Sequence, residues 1–402
     1  TRDSLPLVGR GRGGGRLRCH LPQRSKQLAT DSPSPHWLRT PSGLLRARGL
    51  GLPLPGEPGP FNAITDVAGV EVGYSTIIKG EGPLVVGQGP VRTGVTAILP
   101  RGKAGLAVPC AAGFWSLNGN GEMTGTIWVE ESGELDMPVT ITNTHSCGIA
   151  RDATIRWLYP RLDGISDSWG LPVAAETFDG DLNDINGFHV TNEHVFEALD
   201  GAASGPLEQG SVGGGTGMIC YDFKGGSGTS SRRVVAAGET YTVGVFVQSN
   251  FGRRPECTVL GVPVGKHIGH DLLRGKPAGS IIVVVATDAP IAGHQAKKLA
   301  RRVALGMART GALGHDSSGD IFLAFSTANA EGYSAPKGKL RHMVELANAD
   351  IDPLYEGVVE ATEEAIIDSM VANRTMVGRD GATSIALPHE ELVEVMRRYG
   401  RM

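Results

Sequence analysis

Residues 295–307 carry apolar side chains at helical spacing: Ala296, Leu299, Ala300, Val303 and Met307 share one face, and Lys297, Lys298, Arg301 and Arg302 the other. The pattern predicts an amphipathic helix whose basic stripe is a solvated face. The same period predicts helices over 361–373 and 389–399, and shorter ones are expected over 147–159 and 190–199. Elsewhere the repeat shortens. Residues 240–248 and 280–287 are rich in β-branched side chains and read as the clearest strands. Further strand segments are expected over 64–74, 95–100, 106–109, 138–144 and 321–326. Strands and helices interleave throughout, which implies a layered α/β domain over residues 44–402. Within it only the glycine- and serine-rich stretch 225–231 reads as a linker.

Composition adjusts this picture in three places. Of 402 residues, 58 are glycine, about twice the usual share, and they fall in motifs, not in a repeat. Tight turns around a packed core are therefore expected. Residues 1–50 carry ten Lys and Arg against two Asp and Glu, a net of +8 in a chain of net −4. Basic, Gly/Pro-rich and without hydrophobic period, the first 43 residues read as a disordered extension. The densest apolar run, 281–286, is far short of the roughly 18 residues of a membrane helix, so no membrane partner is expected. Five cysteines without CxxC spacing argue against a zinc site or a disulfide framework and suit a reducing, cytoplasmic setting.

Several chemistries lack their motifs: there is no GxSxG elbow, no GxxxxGK[ST] loop and no HExxH. His267 and His270 have a spacing that could hold a metal, but nothing accompanies them, so no metal or cofactor is expected. Cys147 reads as a small buried hydrophobe before a nucleophile. The glycine loop 210–218 could cradle a phosphate through backbone N–H groups or form a close-packed turn. More telling is the loop 275–279, which delivers a Gly279–Ser280 bond to the first position of a very apolar strand. Glycine permits strained backbone there. The serine hydroxyl could attack the preceding carbonyl and free its own α-amine, whose reference pKa of about 7.7–8.0 suits a base near neutrality. Taken alone, a Gly–Ser pair before a strand is ordinarily just a turn.

Several ordered stretches point further: 62–70 (NAITDVAGV), 118–125 (NGNGEMTG), 142–145 (TNTH), 176–180 (ETFDG), 213–217 (GGGTG), 243–250 (VGVFVQSN) and Gly279–Ser280. Together they resemble the DmpA-type L-aminopeptidase/D-esterases and the related BapA-type β-aminopeptidases from about residue 44 to the C-terminus. The resemblance implies a four-layer αββα sandwich similar to Ntn hydrolases but with different strand connectivity. It also implies self-cleavage into 44–279 and 280–402, the α and β subunits. Carried to matching positions, it makes Ser280 the autocatalytic residue and nucleophile. Ser318 and Asp320 assist it, Asn250 forms the oxyanion hole, and Glu176 holds the substrate's free amine. Asp320 is shorter than the glutamate of β-aminopeptidases, and Phe178 stands where a tyrosine is expected, keeping the ring and losing the donor.

The resulting expectation is a serine aminopeptidase acting on small peptides, amides or esters with a free N-terminal amine. It would work through an acyl-Ser280 intermediate as a homo-oligomer, such as a tetramer, of processed protomers. No nucleic-acid partner is expected. A β-aminopeptidase, an acyltransferase of the same fold, and a self-cleaving structural or binding protein without turnover stand as alternatives.

Overall fold

The computed structural model describes residues 35–162, 169–274, 279–336 and 338–402. Residues 1–34 of the basic extension and residues 275–278 of the loop before Gly279 lie outside them. Two sheets form the centre. The first has the order β1 (Glu71–Lys79), β2 (Val91–Leu99), β5 (Val139–Asn143), β6 (Val173–Thr177). The second runs β4 (Glu134–Leu135), β3 (Cys110–Gly119), β12 (Ser318–Ser326), β11 (Gly279–Thr287), β10 (Glu239–Asn250), β9 (Gly226–Ala236). Helices α2 (Cys147–Leu158) and α3 (Asn192–Asp200) pack on the first sheet, and α4 (Gly293–Arg309) and α6 (Asp352–Val371) on the second. The expected four-layer αββα sandwich is what forms. The remaining elements are the short helices α1 (Thr126–Ser132) and α5 (Ala330–Tyr333), the amphipathic α7 (His389–Arg398), and the ribbons β7–β8 (Ile219–Cys220, Phe223–Lys224) and β13–β14 (Met376–Val377, Thr383–Ser384). No helix among the described residues is long and apolar enough to cross a membrane.

Three cores follow from the two-residue period of the strands. On β11, Ile282, Val284 and Ala286 join Phe246, Leu323 and Phe325 between the sheets, where Ile98, Val139 and Ile141 meet them from β2 and β5. Ile281, Val283 and Val285 point the other way, against Leu299 and Val303 of α4 and Ile366 of α6. On the far side, Trp157 of α2 and Leu199 of α3 cover Val95, Ala97 and Leu99. Because β11 and β12 are parallel, as are β5 and β6, each pair needs a crossover, and the chain uses α4 and α2 for them. Parallel pairing lines up the starts of β11 and β12 at one end of the second sheet.

The stretch 225–231 is not a linker; it enters β9, and its residues are buried. Its small side chains let α6 approach: a Cβ on Gly228 would lie 2.0 Å from the Ala365 carbonyl oxygen, and Ser230 Oγ donates to the Ala361 carbonyl at 2.6 Å. Residues 106–109 are a turn, not a strand, with the Pro109 carbonyl held by the Arg101 guanidinium at 3.0 and 3.1 Å. The strand foreseen over 64–74 begins only at Glu71. Before it, the Asp66 carboxylate accepts from the Phe61 and Ala63 amides and winds 64–66 into a 3₁₀ turn. Helix α6 starts at Asp352, nine residues before the helix expected from 361, because its mainly buried surface blurs the amphipathic period.

Upstream of the first sheet the chain is pinned by charge. Arg46 pairs with Asp368 at 2.7 Å, Arg232 with Glu364 at 2.7 Å, and Arg48 forks onto Glu364 at 2.8 and 2.9 Å. Burial would push the Glu364 carboxyl up, but the arginines beside it outweigh burial and hold it low. Both acids lie on α6, beyond residue 280, and all three arginines lie before it.

Candidate active site

Gly279 opens β11 with φ of 117°, in the region that favours glycine. A Cβ there would sit 1.5 Å from the Asn250 carbonyl oxygen, so β10 and β11 close on each other only because residue 279 has none. Ser280 follows, 5% exposed, on the face that Ile282 and Val284 turn toward the first sheet. Its Oγ accepts the Gly319 amide at 3.2 Å. The hydroxyl is thus fixed beside the peptide bond that precedes it.

The neighbouring parallel strand supplies two more of the candidate residues. In register, Ser318 stands opposite Gly279 and Gly319 opposite Ser280. Ser318 Oγ donates to Asp320 Oδ1 at 2.6 Å. Asn118, on β3, clasps the same aspartate: its Nδ2 donates to Oδ2 at 3.0 Å and its Oδ1 accepts the Asp320 amide at 2.7 Å. Burial raises the Asp320 pKa, while the Ser318 hydroxyl and the Asn118 amide pull it back. A carboxylate so held can take proton density from Ser318 and leave that oxygen a better acceptor. Asp320, though short, reaches Ser318 directly.

Asn250, fully buried at the end of β10, is the register partner of Ser280 on the other side. Its Oδ1 accepts from the Ile219 amide and from Arg274, both at 2.9 Å. Its Nδ2 donates to the Phe178 carbonyl at 2.7 Å. That donor is the group an oxyanion would need, and here the main chain of residue 178 occupies it. Phe178 is 40% exposed, and its ring lies over Gly180, where a Cβ would come within 2.4 Å of it.

Glu176 comes from the other sheet. It lies near the end of β6, beside Thr142 of β5, and is 2% exposed. One carboxylate oxygen accepts the Glu122 amide at 2.9 Å, and the other accepts the Thr144 hydroxyl. Among the described residues no lysine or arginine pairs with it. Burial raises its pKa, against the opposing pull of those two donors. A buried carboxylate without a cation can take an ammonium group as its partner. Gly121 links it to the serine: a Cβ there would be 3.1 Å from Glu176 Oε1 and 3.2 Å from the Gly319 Cα.

Asn118, Thr144, Gly319 and Arg274 make these contacts and were not singled out from the sequence. The first two lie inside the stretches 118–125 and 142–145, so their signal was proximity to a motif and nothing more specific. The other candidates resolve differently. The glycine loop is a close-packed turn: the Gly213 and Gly214 amides already donate to Thr76 and Thr96 hydroxyls, and a Cβ on Gly214 or Gly215 would meet atoms at 2.2 Å. Cys147 is buried against Ala174, and burial pushes its thiol up to about 12, away from a thiolate. His267 and His270 turn to Tyr399 and Glu391 near α7.

Residues 62–384 match peptidase family S58. The chain is 52% identical over 373 residues to the β-peptidyl aminopeptidase BapA of Sphingosinicella microcystinivorans, covering 89% of this chain and 93% of that protein. The L-aminopeptidase D-Ala-esterase/amidase of Ochrobactrum anthropi, described as a variant of the Ntn hydrolase fold, superposes with a TM-score of 0.83 at 47% identity, over 89% of this chain and 99% of that one. A β-aminopeptidase from a Burkholderia species superposes with a TM-score of 0.82 at 44% identity, over the same shares.

Proposed function

The chain belongs to peptidase family S58, a family of aminopeptidases, and we propose that Ser280 is both the residue at which it cuts itself and the nucleophile of the mature enzyme. The observation that carries the reading is the strained Gly279 junction, with Ser280 Oγ held by Gly319 and flanked by Ser318–Asp320 and Asn250. In processing, Ser280 Oγ attacks the Gly279 carbonyl carbon, the C–N bond breaks, and the acyl group passes to oxygen. The leaving nitrogen becomes the α-amine of Ser280, and water then cleaves the ester to leave a Gly279 carboxylate.

In turnover the freed α-amine takes the Ser280 hydroxyl proton, with Ser318 and Asp320 bridging the transfer. Oγ attacks the substrate carbonyl, and the Asn250 amide turns from Phe178 O to the developing oxyanion. The leaving group departs with a proton, and water releases the acyl group. Glu176 binds the substrate's N-terminal ammonium and so restricts attack to the first residue. Substrates are small peptides, amides or esters with a free amine. Because the 52% identical relative is a β-peptidyl aminopeptidase, β-amino N-termini are included. Processed protomers associate as a homo-oligomer, for which exposed Ile127, Trp169 and Leu171 offer apolar area. Four buried unpaired cysteines fit a cytoplasmic site of action.

Intact mass of purified wild type and Ser280→Ala tests the reading. The wild type should give two fragments, the smaller beginning Ser-Ile-Ile-Val, and the variant one uncut, inactive chain. A wild-type chain that stays whole and hydrolyses alanine p-nitroanilide would sink it.

A further inference from the structure

Arg274 stands six residues before Ser280 and has no part in the chemistry above. Its side chain is 3% exposed. Nε donates to Asp181 Oδ2 at 2.6 Å, Nη1 to the Ile219 carbonyl at 3.2 Å and Nη2 to Asn250 Oδ1 at 2.9 Å, while its backbone amide donates to Asp222 Oδ1 at 2.8 Å. A buried guanidinium is therefore held through all three of its nitrogens, with the backbone amide anchored as well, and one of its donors ends on the carbonyl of the oxyanion asparagine.

The two ends of an asparagine amide have nearly the same shape, and only their partners decide which end faces a site. At Asn250 the Ile219 amide and Arg274 both donate to Oδ1. The NH₂ end is thereby turned away from them, to the side where Phe178 O now accepts it. Arg274 does a second thing. A cation on the carbonyl oxygen draws electron density through the amide and makes its N–H a stronger donor. Asp181, 32% exposed, anchors the guanidinium without burying a naked pair.

We infer that Arg274 is a positioning residue that orients and polarises Asn250 for both self-cleavage and turnover. The inference rests on the oxyanion role proposed for Asn250. It also assigns a role to the new C-terminal tail of the larger fragment. Its contacts with Asp181, Asp222, Ile219 and Asn250 lie within that fragment, so they survive the cut at Gly279.

The test is a double-mutant cycle on the full chain with Arg274→Gln, Arg274→Lys, Asn250→Ala and the pair Arg274→Gln/Asn250→Ala. The first-order rate of self-cleavage is followed by intact mass, and kcat and KM are measured on the cleaved protein. Removing a whole oxyanion donor costs roughly a hundred- to thousandfold. Weakening the same donor through its partner should cost part of that, about ten- to a hundredfold in the cleavage rate and in kcat, with KM within about twofold. Arg274→Lys keeps the charge and should recover most of the loss. In the Asn250→Ala background Arg274→Gln should change the cleavage rate by less than about twofold, since the group it acts through is gone. Equal losses in both backgrounds, or a raised KM with unchanged kcat, would overturn the role of Arg274. If Asn250→Ala cleaves at the wild-type rate, the oxyanion reading itself fails. If Asn250→Ala is slow and Arg274→Gln is not, the inference about Arg274 falls alone.

Discussion

Replacing Gly279 by alanine tests the junction while keeping both the scissile carbonyl and the serine hydroxyl. The added Cβ would lie 1.5 Å from the Asn250 carbonyl oxygen and 2.6 Å from its carbon. An ordinary contact between such atoms is about 3.5 Å, so β10 and β11 must part by up to about 2 Å here or residue 279 must leave φ of 117°. Holding alanine in a sparsely populated backbone region costs about 1–3 kcal/mol, and losing the last rung of the ladder about 1 more. Against the roughly 5–15 kcal/mol of a typical domain that is survivable, and the fold should persist. The serine is less forgiving. A displacement of about 1 Å between reacting atoms is worth about a hundredfold in rate. Gly279→Ala should therefore remain one chain of 42.1 kDa long after the wild type has cut, with a circular-dichroism spectrum like that of Ser280→Ala. Its cleavage rate, followed by intact mass, should be at least about a hundredfold lower. Cleavage of a folded Gly279→Ala chain at the wild-type rate would refute the argument that this position must lack a Cβ.

Glu176→Gln should weaken kcat/KM for free-amine substrates and leave acetylated ones unhydrolysed, which parallel p-nitroanilide assays would show. Burial raises the Glu176 pKa, so the charge proposed to hold the ammonium is present above that raised pKa and lost as pH falls through it. In wild type KM should climb on the acid side from above the ordinary carboxylate value, and in Glu176→Gln it should be flat there. Phe178→Tyr restores a hydroxyl on a ring that is 40% exposed, and kcat should rise with KM little changed, by at most about a hundred- to thousandfold. An unchanged or lower kcat, after equal processing, contradicts an oxyanion role for position 178. Arg46→Ala leaves Asp368 buried beside Glu364 without its cation and should cost about 3–5 kcal/mol, read as a lower denaturation midpoint. It should also loosen the larger fragment from the smaller one after cleavage, which dissociation in mild denaturant would detect.

The sequence revealed elements where burial is one-sided and concealed them where it is not. Helix α4 shows its period because Lys297, Lys298, Arg301 and Arg302 alternate with its core face. Strand β11 was legible as an unbroken β-branched run. Strands β3, β6 and β9 were not. Small residues at 110–113, 174–175 and 226–231 stand where neighbouring elements come close, and small residues carry no period. A Cβ on Gly113 of β3 would meet the Lys297 amide nitrogen at 2.4 Å, and β6 carries Ala174 and Ala175 and is buried throughout. Composition read β9 as a linker for the same reason.

The candidate site divides in the same way. Ser280 could be suspected from its place after Gly279, and Ser318, Asp320 and Asn250 only through the resemblance; register explains why they meet, since β10, β11 and β12 are neighbours and their ends coincide. What no local pattern could supply is the distance between the sheets. Gly121 lies where they meet. A Cβ on Gly319 would strike the Asn120 carbonyl oxygen at 2.4 Å, and one on Gly121 would crowd both Gly319 and Glu176. A side chain on Gly121 would press on the carboxylate of the first sheet and on the β12 backbone beside the hydroxyl of the second, while one on Gly319 would part β12 from the chain that follows β3. An aminopeptidase needs those two groups separated by the span of one residue, because the ammonium and the carbonyl that is attacked belong to the same amino acid. On the roles proposed for Glu176 and Ser280, the missing side chain at Gly121 therefore bears on reach, because it lets the carboxylate of one sheet come near the hydroxyl of the other.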